Sequence, residues 1–414
     1  MIKMKNKPLI ISTLSLIAAI FLSAAVKPTS NKISAENPPE NEDKPTFSSV
    51  ATANNQEMRA VWVPFMSLNM KDTDYSETAF KAKFDNIISE SLAHKMNTLI
   101  VHVRPFSDSL YPSKYFPLSH LISGEQGKNP GFDPLDYMIT ATHEAGLQFH
   151  AWINPLRIQI NNMPTSLCDS NIYFSLKNST NPDDIILETS TGKYLNPAYP
   201  NVRELVINGV KEIVEKYPVD GIQFDDYFYP ENALEVDKIS YENYCNLPEN
   251  TKPLSLEEWR FANINSLISG TYSAIKSINS NVVFGISPAG NLANNAKIGA
   301  DVFTWCKTPG YIDYICPQIY FSPEHPKLPS ATAANQWKGI IKCYKVKLYF
   351  GLAAYKAGSD TADFGTWKNH NDILKTQVKQ CRNLGCDGFM FFSYEDFKNK
   401  NAALELQNVK AVLN

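Results

Sequence analysis

The chain has 414 residues, 43% of them hydrophobic and 12% aromatic, enough apolar side chain for a large buried core. Its 39 basic and 42 acidic residues give a formal charge of −3, with no cationic surplus to face a phosphate backbone, so nucleic acid is not an expected partner. Seven dispersed cysteines without a CxxC pair have no metal-ligand spacing; they read as small thiols rather than a disulfide framework, and neither metal nor cofactor is expected.

Lys3, Lys5 and Lys7 precede an apolar run from Leu9 to Val26 with small residues at Ser23, Ala24 and Ala25. This is the pattern of a secretory signal over residues 1–26. Its length also suits an uncleaved N-terminal anchor, the one membrane association expected. Either way the protein is expected outside the cytoplasm, secreted or held at the cell envelope. Residues 27–56 are rich in Pro, Ser, Asn, Glu and Lys and poor in large apolar side chains, which marks a flexible linker. The folded domain is expected over 57–414.

Within it, apolar runs rich in β-branched and aromatic residues recur at 58–65, 97–106, 147–155, 221–228, 282–290, 313–321, 347–355 and 386–394. Helical spacing fills most of the gaps, as in ETAFKAKFDNIISESLAHKM, FDPLDYMITATHEAG, NVRELVINGVKEIVEKY, LSLEEWRFANINSLISGTYSAIKSI and NDILKTQVKQCRNLG. Between the fifth and sixth runs only a short helix near Val302–Lys307 is available. Eight strand-helix units predict an α/β fold, a closed (β/α)8 TIM barrel, and no glycine-rich nucleotide loop follows the first strand.

In such a barrel the chemistry gathers at the C-terminal ends of the strands. Six of those ends carry polar or aromatic residues: HVRPF, HAWINP, FDDYFYP, SPAGN, PQIYF and FSYED. Strand alternation places His102 with Arg104, His150 with Trp152 and Asn154, Gln223 with Asp225 and Tyr227, and Gln318 with Tyr320 on common faces. The fourth strand, VDGIQFDDYFYP at 219–230, holds three aspartates where strands are normally depleted in them. Two carboxylates at one mouth suit glycosidic bond cleavage, which needs a proton donor and a second carboxylate to attack or to activate water. Asp225 is the first choice for one role. Asp226 reaches the cleft if the chain turns there, and the charge of Asp225 would then raise its pKa. Asp108, Glu395 and Asp396 are further acids near the expected mouth.

With those residues assembled, the chain resembles the glycosyl hydrolase-like family 10 domain of exported bacterial proteins related to the hydrolase of denuded peptidoglycan strands. The resemblance rests on MRAVWVPF, VHVRPFSDSLYPSKYFP, FDPLDYMITATHEAGLQFHAWINPLR, YLNPAYPNVRELVINGVKEIVEKYPVDGIQFDDYFYP and CPQIYF. It implies a (β/α)8 barrel, a β-1,4-linked amino-sugar polymer as substrate, and a cleft lined by Arg104, Asp108, Asn154, Arg157, Asn196, Asp225, Asp226 and Tyr227. A fainter similarity to chitinase-like barrels, with their DGxDxDxE pattern, fails at Gln223 and at Tyr227, which stands where the proton-donating Glu should be. Two alternatives stand beside the hydrolase of peptidoglycan strands: a catalytically inactive carbohydrate-binding barrel, and a hydrolase of another exopolysaccharide.

Overall fold

The computed structural model describes residues 57–178, 183–230 and 235–413; the expected signal and linker, residues 1–56, lie outside the described residues. In chain order the strands are β1 (Met58–Val63), β2 (Thr98–Arg104), β3 (Gln148–Ile153), β4 (Arg157–Ile160), β5 (Ile186–Glu188), β6 (Gly192–Leu195), β7 (Gly221–Phe224), β8 (Val283–Ile286), β9 (Tyr314–Ile315), β10 (Lys347–Ala353) and β11 (Gly388–Phe392). Eight of them, all parallel, close the ring β1-β2-β3-β7-β8-β9-β10-β11. Every expected strand run is represented in it, in sequence order, so the fold is a (β/α)8 barrel. The other three make a small antiparallel sheet, β4-β6-β5, on the excursion after β3.

The crossover helices start and stop where the side chains say they should. Ser76 caps Glu77–Ala93, Asp133 caps Pro134–Glu144 with Pro134 in its first turn, and Ser255 with Glu258 forms a reciprocal capping box on Leu256–Ile278. Three helices share one ending. Lys95, Gly146 and Gly385 take left-handed backbone at φ +63°, +75° and +61°. The next residue's N–H then reaches back five positions, Met96 to Ser91, Leu147 to Thr142 and Cys386 to Cys381, each at 3.0 Å. The turn delivers the chain directly into β2, β3 and β11.

A second repeat ties the strands together from below. Asn97 Oδ1 accepts from Arg59 N at 2.8 Å, Asp220 Oδ2 from Phe149 N at 2.8 Å, Asp313 Oδ2 from Phe284 N at 2.7 Å, and Asp387 Oδ2 from Leu348 N at 3.0 Å. Each acceptor immediately precedes one strand of the ring, β2, β7, β9 or β11, and grips the ring strand before it, β1, β3, β8 or β10. Asp220, the first aspartate of VDGIQFDDYFYP, is therefore a clamp at the end of the barrel opposite the mouth.

Inside the ring, large rings face glycines. A Cβ on Gly285 would stand 2.0 Å from Tyr314, and one on Gly221 2.7 Å from the His150 imidazole. Ala60, Trp62, Ile100, Trp152, Tyr314, Cys316, Tyr349 and Met390 complete this plug, so the barrel is packed rather than hollow. The outer apolar layer sits between strands and helices. The short fifth crossover is helical over Val302–Lys307, as expected. A helix over Ser330–Ile340, which buries Ala333, Ala334 and Trp337, has too few large apolar residues to stand out in sequence.

Candidate active site

Immediately after β7 the chain presents two consecutive carboxylates. Asp225 is buried, and its Oδ2 accepts from Trp152 Nε1 and Asn154 Nδ2, both at 3.0 Å; Tyr227 N lies 3.4 Å from Oδ1. Burial pushes the Asp225 carboxyl up to about 6, although the Arg157 guanidinium and the N–H donors pull the other way. Arg157 opens β4. Its Nε donates to Pro105 O at 3.0 Å, and its guanidinium lies 5.2 Å from the Phe106 ring and 5.0 Å from that of Tyr227. Five expected site residues, Trp152, Asn154, Arg157, Asp225 and Tyr227, thus form one connected group on the β3 side of the mouth.

Asp226 faces the opposite side. Its Oδ1 accepts from Gln318 Nε2 at 3.1 Å, and the same amide also donates to Ser287 O at 3.1 Å. Tyr320 belongs to this side: burial raises its hydroxyl pKa well above the ordinary value, and Asp226 is among the negative neighbours that add to the shift. Phe392, which the sequence argument did not single out, joins the two sides. Its ring lies 6.5 Å from Trp152 and 6.2 Å from Tyr320, with Tyr355 a further 5.8 Å from Tyr320. Alternation with the inward Met390 was the signal that could have found it. Burial raises Asp225 itself, the carboxyl whose charge was expected to raise Asp226.

Several expected site residues lie elsewhere. Arg104 is turned out of the mouth by a β-bulge: His102 pairs with Trp152, but Arg104 pairs with Ile153, so two steps along β2 match one along β3. Its guanidinium packs 4.4 Å from the Phe116 ring, tightly against Gly209 of the helix Pro200–Lys216, with Glu212 a stabilising charge nearby. His102, left on the inner face, stacks on Trp152 with ring centroids 3.7 Å apart. His150 is deeper, a plug residue whose Nδ1 meets Tyr314 Oη at 3.1 Å; burial lowers its pKa to about 4 and keeps it neutral. Asp108 is fully buried, where Gln126 Nε2 donates to it at 3.1 Å, and its charge is one of those that favour the charged form of Arg157. Asn196 is also fully buried and ties Asp184 O to Ser240 Oγ beneath the excursion. Glu395 lies off the mouth, in a cavity of about 340 Å³ with Ser67, Lys83, Asn86, Tyr394 and Lys398. Among the described residues, no group of three or more His, Cys, Asp or Glu is placed to hold a metal ion.

A (β/α)8 barrel with two carboxyl groups, one of them raised by burial, and aromatic rings at its C-terminal mouth has the layout of a glycoside hydrolase. Residues 57–369 match Glycosyl hydrolase-like 10, and the chain belongs to that family, a hydrolase of glycosidic bonds by class. Glycosyl hydrolase YngK of Bacillus subtilis (strain 168) is 32% identical over 369 residues, covering 84% of this chain and 69% of its own. Glycosyl hydrolase DigH of Escherichia coli (strain K12) is 30% identical over 406 residues, 90% of each chain. The fold is shared with the PgaB (BpsB) glycoside hydrolase domain from Bordetella bronchiseptica, at TM-score 0.55 and 13% identity over 86% of this chain and 99% of that one. It is shared too with the endo-1,4-beta-mannanase from Rhizomucor miehei, at TM-score 0.52 and 11% identity over 86% and 95%.

Proposed function

We propose that the protein cleaves β-1,4-linked amino-sugar glycan, with peptidoglycan strands stripped of their stem peptides as substrate, using Asp225 as general acid and Asp226 as the second carboxylate. The observation that carries this is the buried Asp225 carboxyl, raised to about 6, so that a fraction stays protonated near neutral pH. Trp152 and Asn154 fix its orientation through Oδ2, and the nearby Arg157 stabilises the carboxylate left after the proton moves to the glycosidic oxygen. Asp226, held by Gln318, supplies negative charge from the other side for attack on the sugar or activation of water. Phe392, Tyr320 and Tyr355, each partly exposed, offer ring surface to pyranose units.

The amino-sugar polymer follows from the family resemblance of the motif blocks, and the envelope location from the basic and apolar pattern of residues 1–26. Release of reducing ends from denuded glycan strands, peptide-bearing peptidoglycan and chitin tests the reading. Denuded strands should be cut fastest. Equal rates on all three, or action on none of them, would refute the substrate.

A further inference from the structure

The turn between the helix Ile373–Asn383 and β11 holds two of the seven cysteines. Gly385 is left-handed, its N–H bonds to Arg382 O at 3.0 Å, and Cys386 N bonds to Cys381 O at 3.0 Å. This doubly bonded cap faces the third helical residue from the end toward the second residue past the cap, ordinarily as an apolar contact. In the two sister turns those positions are Ser91 with Met96 and Thr142 with Leu147; here both are cysteine. Cys381 is fully buried, with Sγ 3.1 Å from Gly388 O. Cys386 is half-buried, and the Lys338 ammonium donates to the adjoining Gly385 O at 3.1 Å.

From this geometry we propose that Cys381 and Cys386 are a redox-active dithiol that closes to an intrachain disulfide, a covalent staple across the turn that feeds β11. The thiols divide the work. Contact with Cys381, aided by Lys338, lowers the pKa of the accessible Cys386, whereas the same contact and burial raise that of Cys381. Cys386 is therefore the attacking group. With glutathione disulfide as oxidant, the Cys386 thiolate attacks one sulfur, forms a mixed disulfide and expels one glutathione thiolate. Cys381, losing its proton to solvent, then attacks the Cys386 sulfur and expels the second glutathione thiolate. The protein dithiol loses two electrons and one glutathione disulfide becomes two glutathiones. Cys306 and Cys343 are also joined through a backbone bond, Cys343 N to Cys306 O at 2.9 Å, but both are buried and present no accessible thiol to begin exchange.

The test uses the full chain and is independent of any glycan assay. After incubation with glutathione disulfide and unfolding in denaturant, peptide mapping should join Cys381 to Cys386 with no glutathione on either, whatever single adducts the half-buried Cys168 and Cys245 take up. Cys381→Ser should trap one glutathione on Cys386, because the closing thiol is gone, and Cys386→Ser should leave the buried Cys381 a free thiol. Recovery of both residues as free thiols would overturn the proposal, as would a stable glutathione adduct on Cys386 in the natural chain.

Discussion

Asp225→Asn is expected to abolish activity and stabilise the protein at the same time. The carboxyl is raised from 3.8 to about 6 by burial, roughly two pH units. At 1.36 kcal/mol per unit this is about 3 kcal/mol, an upper bound on what holding an ionised Asp225 costs the fold. The sign follows from proton binding. The folded state holds this proton more tightly than the unfolded state, so the penalty is absent below about pH 4, grows between pH 4 and 6, and is complete above it. An amide escapes it. Both side-chain donors converge on one oxygen, Oδ2, so the Asn carbonyl can accept from Trp152 and Asn154 in place; its Nδ2 loses the long contact that Oδ1 made with Tyr227 N at 3.4 Å, which trims the gain. Paired thermal unfolding should show the two proteins nearly equal at pH 4, with Asp225→Asn ahead by up to about 3 kcal/mol at pH 8, roughly 3–5 °C in a domain of this size. Reducing-end release should fall by a factor of about 10²–10⁴. A variant less stable than the natural chain at pH 8, a gap that does not change with pH, or more than about a third of normal turnover would refute the reasoning.

Trp152→Phe keeps a ring but removes a donor that favours the ionised form of Asp225, so the alkaline limb of the rate profile, expected near pH 6 in the natural enzyme, should move upward as kcat falls; an unmoved limb would uncouple the two residues. Arg104→Met should leave KM and kcat within about twofold while costing roughly 1–3 kcal/mol in urea unfolding, because the guanidinium packs on Phe116 behind the barrel wall. Asp220→Ala should likewise destabilise by about 1–2 kcal/mol, through the lost bond to Phe149 N, with kcat unchanged. Gly285→Ala, whose new methyl would meet Tyr314 at 2.0 Å, should fail to give a folded barrel, as judged by circular dichroism and protease resistance.

The ring was legible because every parallel strand is covered on both faces and so reads as a dense apolar run, and because capped, amphipathic helices separate the runs. β4, β5 and β6 escaped notice for the opposite reason. They are only three or four residues long, and segments such as RIQI and GKYL carry little periodic signal. At the mouth, alternation correctly brought Trp152, Asn154 and Asp225 together, since β3 and β7 are regular there. It failed for Arg104, because a bulge changes the face without changing residue types. His150 exposes a second limit. Alternation assigns a face but not a depth, so a plug histidine and a mouth residue look the same in sequence. The three aspartates of VDGIQFDDYFYP separate by depth too, with one below the ring and two above it.

The four clamps at Asn97, Asp220, Asp313 and Asp387 recur every second strand, which makes the ring four brackets of two strands each. These four fastenings all lie at one rim, which leaves the other rim free of them. The long excursion carrying β4 to β6 emerges from that free rim, and so does the run from Asp225 to the helix Leu256–Ile278. Loops there can be lengthened, trimmed or exchanged with every bracket left in place.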